Sequence, residues 1–313
     1  MGAGVLRHGA RGAVLSVVLS SRPPIASRPG VLALTALAMV AFAANSVLAR
    51  LALRTTAIDA STFTAVRIGA GAVVLVLLAR SRRGSGVRGE RAPRERAGSW
   101  ASALALLGYA AAFSFAYLSL SAGTGALVLF GAVQITMIGA GWAAGERLSG
   151  RQLAGTALAL AGLVVLVAPG VRAPPLGAAG LMAASGVAWG VYSLRGRGAG
   201  APVAVSAGNF ARAVPLALGL AVAAALAGRP PQLDGLGLAY AVASGAVTSG
   251  LGYAVWYAVL PALRASTAAT VQLSVPVLAA LGGVALLAEP VTARLAVASA
   301  VTLGGIALVV RGR

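Results

Sequence analysis

Few side chains in this chain of 313 residues are able to do chemistry on a bound molecule. There is no cysteine, and the single histidine is His8, so cysteine-ligated metals, histidine metal clusters and histidine-based catalytic triads are excluded. Two of the six acidic residues lie in a basic stretch, and the other four lie far apart. The sequence therefore predicts no catalytic residues, no metal site and no cofactor, and the chain is not expected to be an enzyme.

Three amide side chains lie within long apolar stretches: Asn45, Gln134 and Gln272. In a lipid bilayer a buried polar group costs free energy unless it faces a cavity or a neighbouring helix. We predict that these amides bind substrate, and hydrogen bonding between helices is the alternative. Amide dipoles carry no net charge, so they suit a neutral or zwitterionic solute better than a strongly charged one.

Aromatic residues make up only 5% of the chain, yet several of them are grouped. Tyr109, Phe113 and Tyr117 are spaced four apart, which places them on one stripe of a helix. Aromatic walls with a few polar anchors are typical of small-molecule pockets. The residues predicted to line such a pocket are Tyr109, Phe113, Trp189, Tyr253 and Trp256. Interfacial anchoring is the alternative. It is predicted for three aromatics near the ends of apolar stretches: Trp100, Trp142 and Tyr192.

Two arginines, Arg67 and Arg212, lie inside apolar stretches, where an ionised group is costly. Such a group is able to pair with a substrate carboxylate or with backbone carbonyls. Arg67 is therefore counted among the predicted substrate-binding residues. Snorkelling of the side chain to the nearer interface is the alternative for both arginines, and it is predicted for Arg50.

The elements that must hold these side chains are membrane-spanning helices. Hydrophobic residues make up 59% of the chain and charged residues 10%, against about 25% charged residues in a soluble domain. The apolar runs are continuous rather than alternating, which excludes a transmembrane β-barrel. Pro215 and Pro276 are expected to break or kink their spans. Ten spans are predicted, at about 31–53, 60–79, 99–120, 122–144, 150–168, 175–194, 204–227, 237–259, 265–287 and 292–310.

The 25 basic residues are all arginine, and their distribution predicts the orientation. With the N-terminus inside, 18 arginines fall on the cytoplasmic side and four on the outer side, which is the bias of the positive-inside rule. Residues 1–30 are predicted to form a disordered cytoplasmic tail, and residues 80–98 a basic cytoplasmic loop. No aromatic residues are interleaved with the arginines of this loop, so nucleic acid is not an expected partner. The predicted location is the inner cell membrane, with both termini cytoplasmic.

The chain contains an internal repeat. Residues 124–167 and 267–310 align without a gap at an offset of 143, and ten of the 44 aligned positions are identical. The identities pair Glu146 with Glu289, and each is predicted to cap the N-terminus of the helix that follows it. Five spans per half is an odd number, so the second half must be inverted in the membrane, as in many secondary transporters.

Several short motifs stand at matching places in the two halves. They are Phe42-Ala-Ala-Asn-Ser46, Arg67 and Gly145-Glu-Arg-Leu148 in the first half, and Trp189-Gly190, Arg212 and Ala288-Glu-Pro290 in the second. These residues resemble the EamA family of the drug/metabolite transporter superfamily, over two repeats at 31–168 and 175–310. Span 1 departs from the family pattern, which usually has Trp-Gly where this chain has Phe42-Ala43. The resemblance implies a ten-span inner-membrane carrier, and many members export amino acids and other small metabolites.

The predicted fold is an all-α polytopic membrane protein of ten transmembrane helices in two inverted five-helix repeats. The predicted function is secondary transport, with export of a small organic metabolite, an amino acid or a drug-like solute, by alternating access. A membrane-embedded enzyme acting on lipid-linked substrates and a non-transporting membrane scaffold are the alternatives. The expected partners are a small-molecule substrate and the lipid bilayer, and pairing into a homodimer stays open.

Overall fold

The fold consists of helices joined by short links. The computed structural model describes residues 28–84, 97–145, 149–168, 173–196, 201–263 and 271–311. Its helices are α1 (Arg28–Thr55), α2 (Ala60–Gly84), α3 (Trp100–Tyr117), α4 (Ala122–Ala143), α5 (Gly150–Val167), α6 (Leu176–Arg195), α7 (Pro202–Leu226), α8 (Gly235–Val259), α9 (Ser274–Leu287) and α10 (Ala293–Arg311). No strand occurs in the described ranges. The prediction of an all-helical fold is confirmed.

Most of these helices suit a bilayer. Seven of them, α1 to α5 with α7 and α8, are long and apolar enough to cross a membrane. Ser274–Leu287 and Ala293–Val309 are shorter apolar helices. Large apolar side chains stay exposed on the outside of the bundle, such as Val164 at 62% and Leu218 at 54%. Because lipid tails are as apolar as leucine, such faces need no protein partner in a membrane, and the chain is a multi-pass membrane protein.

The links define two ends of the bundle. We call the end with the α1–α2, α3–α4, α5–α6, α7–α8 and α9–α10 links the odd-link end, and the opposite end the even-link end. Contacts between links fit this assignment. Asp59 in the α1–α2 link accepts a hydrogen bond at 2.8 Å from the backbone N–H of Gln232 in the α7–α8 link. The arginine count predicts that the odd-link end faces outward, and this orientation stays a prediction.

Helices α5 and α10 pack at backbone distance through small residues. A Cβ added at Gly155 of α5 would lie 2.6 Å from the carbonyl oxygen of Gly305 in α10. A Cβ added at Gly162 would lie 3.0 Å from the carbonyl oxygen of Ala298 and closer still to Thr302. Only glycine permits these approaches. Residue numbers rise along α5 as they fall along α10, so the two helices run antiparallel.

The same contact carries the symmetry of the repeat. At the repeat offset of 143, Gly155 corresponds to Ala298 and Gly162 corresponds to Gly305. The α5 residue of each contact is therefore the repeat equivalent of the α10 residue in the other contact. Between these contacts the Thr302 hydroxyl donates to the carbonyl oxygen of Ala159 at 3.5 Å, and the offset also pairs these two residues. Because exchanging the two repeats reproduces the same contacts, the α5–α10 interface has two-fold symmetry, and equivalent surfaces of the two repeats face each other. This symmetry and the antiparallel course of α5 and α10 are the features expected of inverted repeats, and the inverted arrangement in the membrane stays a prediction.

Two prolines lie within helices. Helix α7 runs unbroken through Pro215. Pro276 is the third residue of α9, in the first turn, where a backbone N–H has no partner within the helix and its absence costs little. The predicted break is therefore wrong for Pro215, and a kink there stays a prediction. The span predicted at 265–287 is interrupted at Leu273, three residues before Pro276. The irregular helix is α8, in which Ser244–Leu251 forms a π-helix, a feature that is frequent at functional sites.

The predicted boundaries differ from the structure at the two basic segments. Helix α1 begins at Arg28, so residues 28–30 are helical rather than part of the predicted tail. Helix α2 continues to Gly84, so residues 80–84 of the predicted loop are helical as well. Residues 1–27 of the predicted tail and residues 85–96 of the predicted loop lie outside the described residues.

Candidate functional site

A polar network crosses the middle of the bundle and joins four helices. In α1, Asn45 Nδ2 donates to the hydroxyl oxygen of Tyr109 in α3 at 3.1 Å. Asn45 Oδ1 accepts hydrogen bonds from Ser244 at 2.7 Å and from Thr248 at 3.2 Å, both in the π-helix of α8. Arg67 Nη2 of α2 donates to the same Tyr109 oxygen at 2.7 Å. The network therefore ties three helices of the first repeat to one of the second.

Arg67 is buried, with 2% of the residue exposed. Snorkelling is therefore wrong for this side chain. Its Cζ lies 4.6 Å from the ring centre of Phe113 and 5.1 Å from that of Tyr109, within the range of a cation–π interaction. Its Nη1 is buried and has no hydrogen-bond partner among the described residues. An arginine with an open donor inside an apolar bundle is costly.

Aromatic rings from four helices pack beside this network. Trp189 of α6 has its ring centre 4.8 Å from that of Tyr109 in α3 and 5.2 Å from that of Tyr253 in α8. Phe42 of α1 has its ring centre 5.9 Å from that of Tyr253 and 6.0 Å from that of Trp256. The aromatic residues predicted to line a pocket thus come together with Asn45 and Arg67. Phe42 joins them, and sequence reasoning noted it only as part of a motif.

The aromatics predicted as membrane anchors fall into two groups. Trp100 and Trp142 lie at helix ends and are 57% and 70% exposed, as an interfacial side chain would be. Tyr192 is buried and stacks on Trp189, with ring centres 5.4 Å apart. The anchoring prediction is therefore wrong for Tyr192, which extends the aromatic cluster towards the even-link end.

Two of the predicted amides lie apart from the network. Gln134 of α4 and Gln272 are partly exposed, and neither side chain makes a hydrogen bond with the described residues. Thr136 of α4 faces α6, because a Cβ added at Gly190 would lie 2.8 Å from Thr136 Cγ2. Two residues along a helix correspond to about 200° of rotation, so Gln134 lies on a different side of α4. A role for the two glutamines in binding stays a prediction.

Sequence reasoning missed Ser244 and Thr248. They are four residues apart, which places them on one helical face, and this spacing in an apolar span was the available signal. Small hydroxyls are common in such helices because they bond to carbonyls of their own helix. Thr248 does so as well, donating to the Ser244 carbonyl oxygen at 2.6 Å. The four-residue spacing alone therefore does not distinguish Ser244 and Thr248 from serines and threonines that bond only to their own helix.

A second polar cluster closes the odd-link end. Glu289, in the α9–α10 link, is 6% exposed. Its Oε1 accepts from Arg50 Nε at 3.0 Å, and its Oε2 accepts from the backbone N–H of Ala122 at 2.8 Å. Arg50 Nη1 donates to the carbonyl oxygens of Tyr117 and Leu118 at 2.7 and 3.0 Å. A carboxylate thus caps the N-terminus of α4, and a guanidinium caps the C-terminus of α3, as the helix dipoles favour.

Two predictions are wrong at this cluster. Arg50 does not snorkel, because its side chain is 12% exposed and paired with Glu289. Glu289 caps α4 rather than α10, in which the hydroxyl of Thr292 accepts from the backbone N–H of Leu295 at 3.1 Å. The residue that Glu289 caps is 167 positions away in the chain, so no local pattern reveals it. The matched Glu146 lies outside the described residues.

A cavity of about 370 Å³ opens beside this cluster. Its charged lining consists of Arg50, Arg54, Arg294 and Glu289. Arg294 donates to the carbonyl oxygen of Ala168 at the end of α5. The cavity lining has three guanidinium groups and one carboxylate, so the cavity at the odd-link end carries a net positive charge.

Asp59 connects the two repeats at the same end. It caps α2, accepting hydrogen bonds from the backbone N–H of Thr62 at 2.9 Å and from the hydroxyl of Ser61, and it also accepts one from Gln232. Burial alone would raise the pKa of its carboxyl group, but these hydrogen bonds favour the ionised form more strongly and lower the pKa from 3.8 to about 2. The ionised form therefore holds the α1–α2 link against the α7–α8 link.

The even-link end has its own contacts between the repeats. Asn209 Oδ1 of α7 accepts from the backbone N–H of Ser99 at 2.8 Å. Arg212 Nη1 donates to the carbonyl oxygens of Ala97 and Gly208 at 2.7 and 2.9 Å. Arg212 therefore bonds to backbone carbonyls, whereas its repeat equivalent Arg67 lies in the central network. The two halves share a fold and differ in the placement of this charge.

These observations define a class: a helical multi-pass membrane protein whose two repeats meet at a polar and aromatic site inside the bundle. The chain belongs to the EamA-like transporter family, whose sequence profile matches residues 29–168 and 176–311. That family is part of the drug/metabolite transporter superfamily. The resemblance drawn from the motifs is confirmed.

Two similar proteins extend this comparison. An uncharacterized protein of Pseudomonas aeruginosa, PA1977, is 58% identical over 259 residues, which cover 83% of this chain and 87% of that protein. A solved crystal structure of a protein is similar with a TM-score of 0.62 and 24% identity, over 90% of this chain and 96% of that one. At this identity the likeness concerns the fold alone.

Proposed function

We propose that the protein is an inner-membrane secondary transporter that exports a small organic metabolite, an amino acid or a drug-like solute, by alternating access. The observation that carries the proposal is the cluster of the buried residues Asn45, Arg67, Tyr109 and Tyr253 with the partly buried Trp189. It combines a few polar anchors with an aromatic wall, which is the composition of a small-molecule site. It lies between the repeats, where secondary transporters of inverted architecture bind their substrates.

Alternating access requires that each end of the bundle open in turn around a fixed site. Each end is joined by a few polar contacts between the repeats: Arg50 with Glu289 and Asp59 with Gln232 at one end, and Ser99 with Asn209 at the other. Contacts of this kind break without exposing a large apolar surface. They support a mechanism in which the halves rock against each other while the close α5–α10 packing stays intact.

The proposed topology has ten spans with both termini in the cytoplasm. It is supported by the alternation of the described helices and by the arginine excess on the even-link side. The substrate is proposed to contact Asn45, Arg67 and the aromatic residues, while Gln134 and Gln272 remain further candidates.

The test is uptake into inverted membrane vesicles, in which an exporter accumulates its substrate. A panel of labelled amino acids, organic acids and organic cations is compared between vesicles with and without the protein. We expect saturable uptake of at least one solute, and its loss in Trp189→Ala but not in Trp142→Ala, whose exposed indole lies at a helix end. Absence of saturable uptake across the panel would contradict the proposal, and so would an equal loss in both variants at equal protein level.

A further inference from the structure

The guanidinium group of Arg67 is a buried positive charge, and the part of the chain that the structure describes places no opposite charge beside it. Three acidic residues lie in the described part of the chain: Asp59, Asp234 and Glu289. Each is placed at a helix end. Asp59 is held by its own link and Gln232, Asp234 accepts from the Gly237 N–H at 2.7 Å, and Glu289 is paired with Arg50. No ion pair to Arg67 occurs among these residues.

We propose that Arg67 binds the carboxylate of the transported solute, an inference that rests on the proposed transport function. A buried charge is stabilised when an opposite charge and hydrogen bonds replace the lost water. Arginine is well suited to this because its planar guanidinium donates to both oxygens of a carboxylate. The solute supplies the negative charge that the described residues do not provide.

The open hydrogen-bond donors at this site match a carboxylate. Arg67 Nη1 is buried and without a partner in the described residues. The Tyr109 oxygen accepts hydrogen bonds from Asn45 and Arg67, and its own O–H proton has no acceptor in the described ranges. Two adjacent groups therefore have a donor to offer, and a carboxylate has two oxygens to accept them.

Other classes of solute fit less well. An organic cation would be repelled by Arg67, and the faces of Tyr109 and Phe113 are already within 5.1 and 4.6 Å of its Cζ. A phosphate ester has a higher charge and would need further cations. Arg50 and Arg212 lie towards the two ends of the bundle and are engaged there, Arg50 with Glu289 and Arg212 with backbone carbonyls. Trp189 and Tyr253 offer an apolar surface for the rest of the solute. A carboxylate on an aromatic or apolar group matches the site.

The test compares the binding of matched aromatic probes to the purified full-length protein in detergent. Phenylacetate, phenylacetamide and phenethylammonium share a ring and differ in charge, and phenylalanine separates a plain carboxylate from an amino acid. Binding is followed by quenching of tryptophan fluorescence and by thermal stabilisation. We expect at least one of the two carboxylate probes to bind about tenfold or more tightly than the amide and the cation. In Arg67→Gln this preference is expected to disappear, because the carboxylate probes lose at least tenfold more affinity than the amide does.

The outcomes separate this inference from the proposed function. If the amide or the cation binds the wild-type protein as tightly as the carboxylates, or if none of the probes binds, the inference is wrong. If Arg67→Gln keeps the preference for carboxylates, the inference is also wrong. Should Arg67→Gln fail to fold, the probe series on the wild-type protein decides alone. Saturable vesicle uptake of an organic cation would overturn the inference and leave the transport function standing, whereas no uptake of any solute would overturn both.

Discussion

The hydroxyl of Tyr109 is the point where the central network meets. It accepts hydrogen bonds from Asn45 in α1 and from Arg67 in α2, and it is buried together with both of them. Removing this oxygen would leave two buried donors without an acceptor. Two buried donors without an acceptor cost the full free energy of their desolvation, and this cost is larger than the net stabilisation from a hydrogen bond.

We therefore expect Tyr109→Phe to lower the free energy of unfolding by about 1 to 3 kcal/mol. The measurement is thermal and denaturant unfolding of the purified protein in detergent. The matched control is Tyr240→Phe in α8, because no hydrogen bond of the Tyr240 hydroxyl occurs among the described residues. Equal stability of the Tyr109→Phe variant and the wild-type protein would show that the network is not formed as described.

Asp59 makes the odd-link end sensitive to acid. Its pKa in the folded protein is about 2, below the ordinary value of 3.8. A carboxyl group with a lowered pKa stabilises the fold fully above its unfolded pKa, and this contribution is lost as the pH falls through the folded pKa. We expect the melting temperature of the wild-type protein to fall between about pH 4 and pH 2 more steeply than that of Asp59→Asn.

The control for this prediction is Gln232→Ala. It retains the backbone N–H that donates to Asp59, so its acid profile should follow the wild type. The profile is measured as melting temperature in a detergent whose micelles do not titrate over this range. Parallel profiles for the wild type and Asp59→Asn would contradict the lowered pKa.

At the scale of the helices, the α5–α10 contact depends on glycine at particular positions. A Cβ added at Gly305 would lie 2.5 Å from the backbone nitrogen of Ala159 and 2.6 Å from the Gly155 carbonyl oxygen. A Cβ added at the neighbouring Gly304 meets nothing within 4 Å. One methyl group is thus forbidden at one position and free at the next.

We expect Gly305→Ala to destabilise the protein by about 1 to 3 kcal/mol through overpacking. Gly304→Ala should be neutral, or stabilising by up to about 1 kcal/mol, because alanine favours the helix over glycine. Unfolding of both variants in detergent measures the difference. If both substitutions have the same effect on stability, α5 and α10 do not approach each other as closely as described.

These helices also show what the sequence can predict. Continuous apolar runs are long enough to mark each helix, and the motifs around Asn45 and Glu289 identify the repeat. The motifs do not show which residue each polar side chain meets. Glu289 reaches the start of α4 and Asn45 reaches α8, across 167 and 199 to 203 positions of the chain. Such pairings depend on how the two repeats dock, which no local pattern encodes.

The predicted aromatic residues lie together in the structure, whereas the predicted amides do not, and the reason is related. Five predicted aromatic residues converge because they lie on helix faces that turn towards the other repeat. Gln134 has the same chemistry as Asn45, but its position on α4 points it away from the α6 contact. Periodicity is weak evidence of facing direction in a helix that is apolar on all sides. A polar residue in such a helix therefore predicts a contact without saying which one.

Across the whole molecule, the two repeats are joined at the odd-link end by Arg50 and Glu289. The pair links α1 of the first repeat to the α9–α10 link of the second, and through Ala122 it reaches the start of α4. Val47 lies one helical turn below Arg50 and is 5% exposed, packed with Ala122 and Leu287. If the odd-link end opens during transport, this residue is among the first to become accessible to water.

The native chain has no cysteine, so Val47→Cys introduces a single thiol whose reaction with a membrane-impermeant maleimide reports this opening. Adding Glu289→Gln removes the charge that holds Arg50 while keeping an oxygen that accepts the Ala122 N–H. We expect this second substitution to increase the labelling rate several-fold, because truncating one member of a buried ion pair leaves the other uncompensated. Leu226→Cys, at an 85% exposed position, is the control, and its labelling should be unaffected by Glu289→Gln. An unchanged rate at Val47→Cys would mean that the Arg50–Glu289 pair does not keep the odd-link end closed, and that the opening of this end is limited by the apolar packing around Val47 instead.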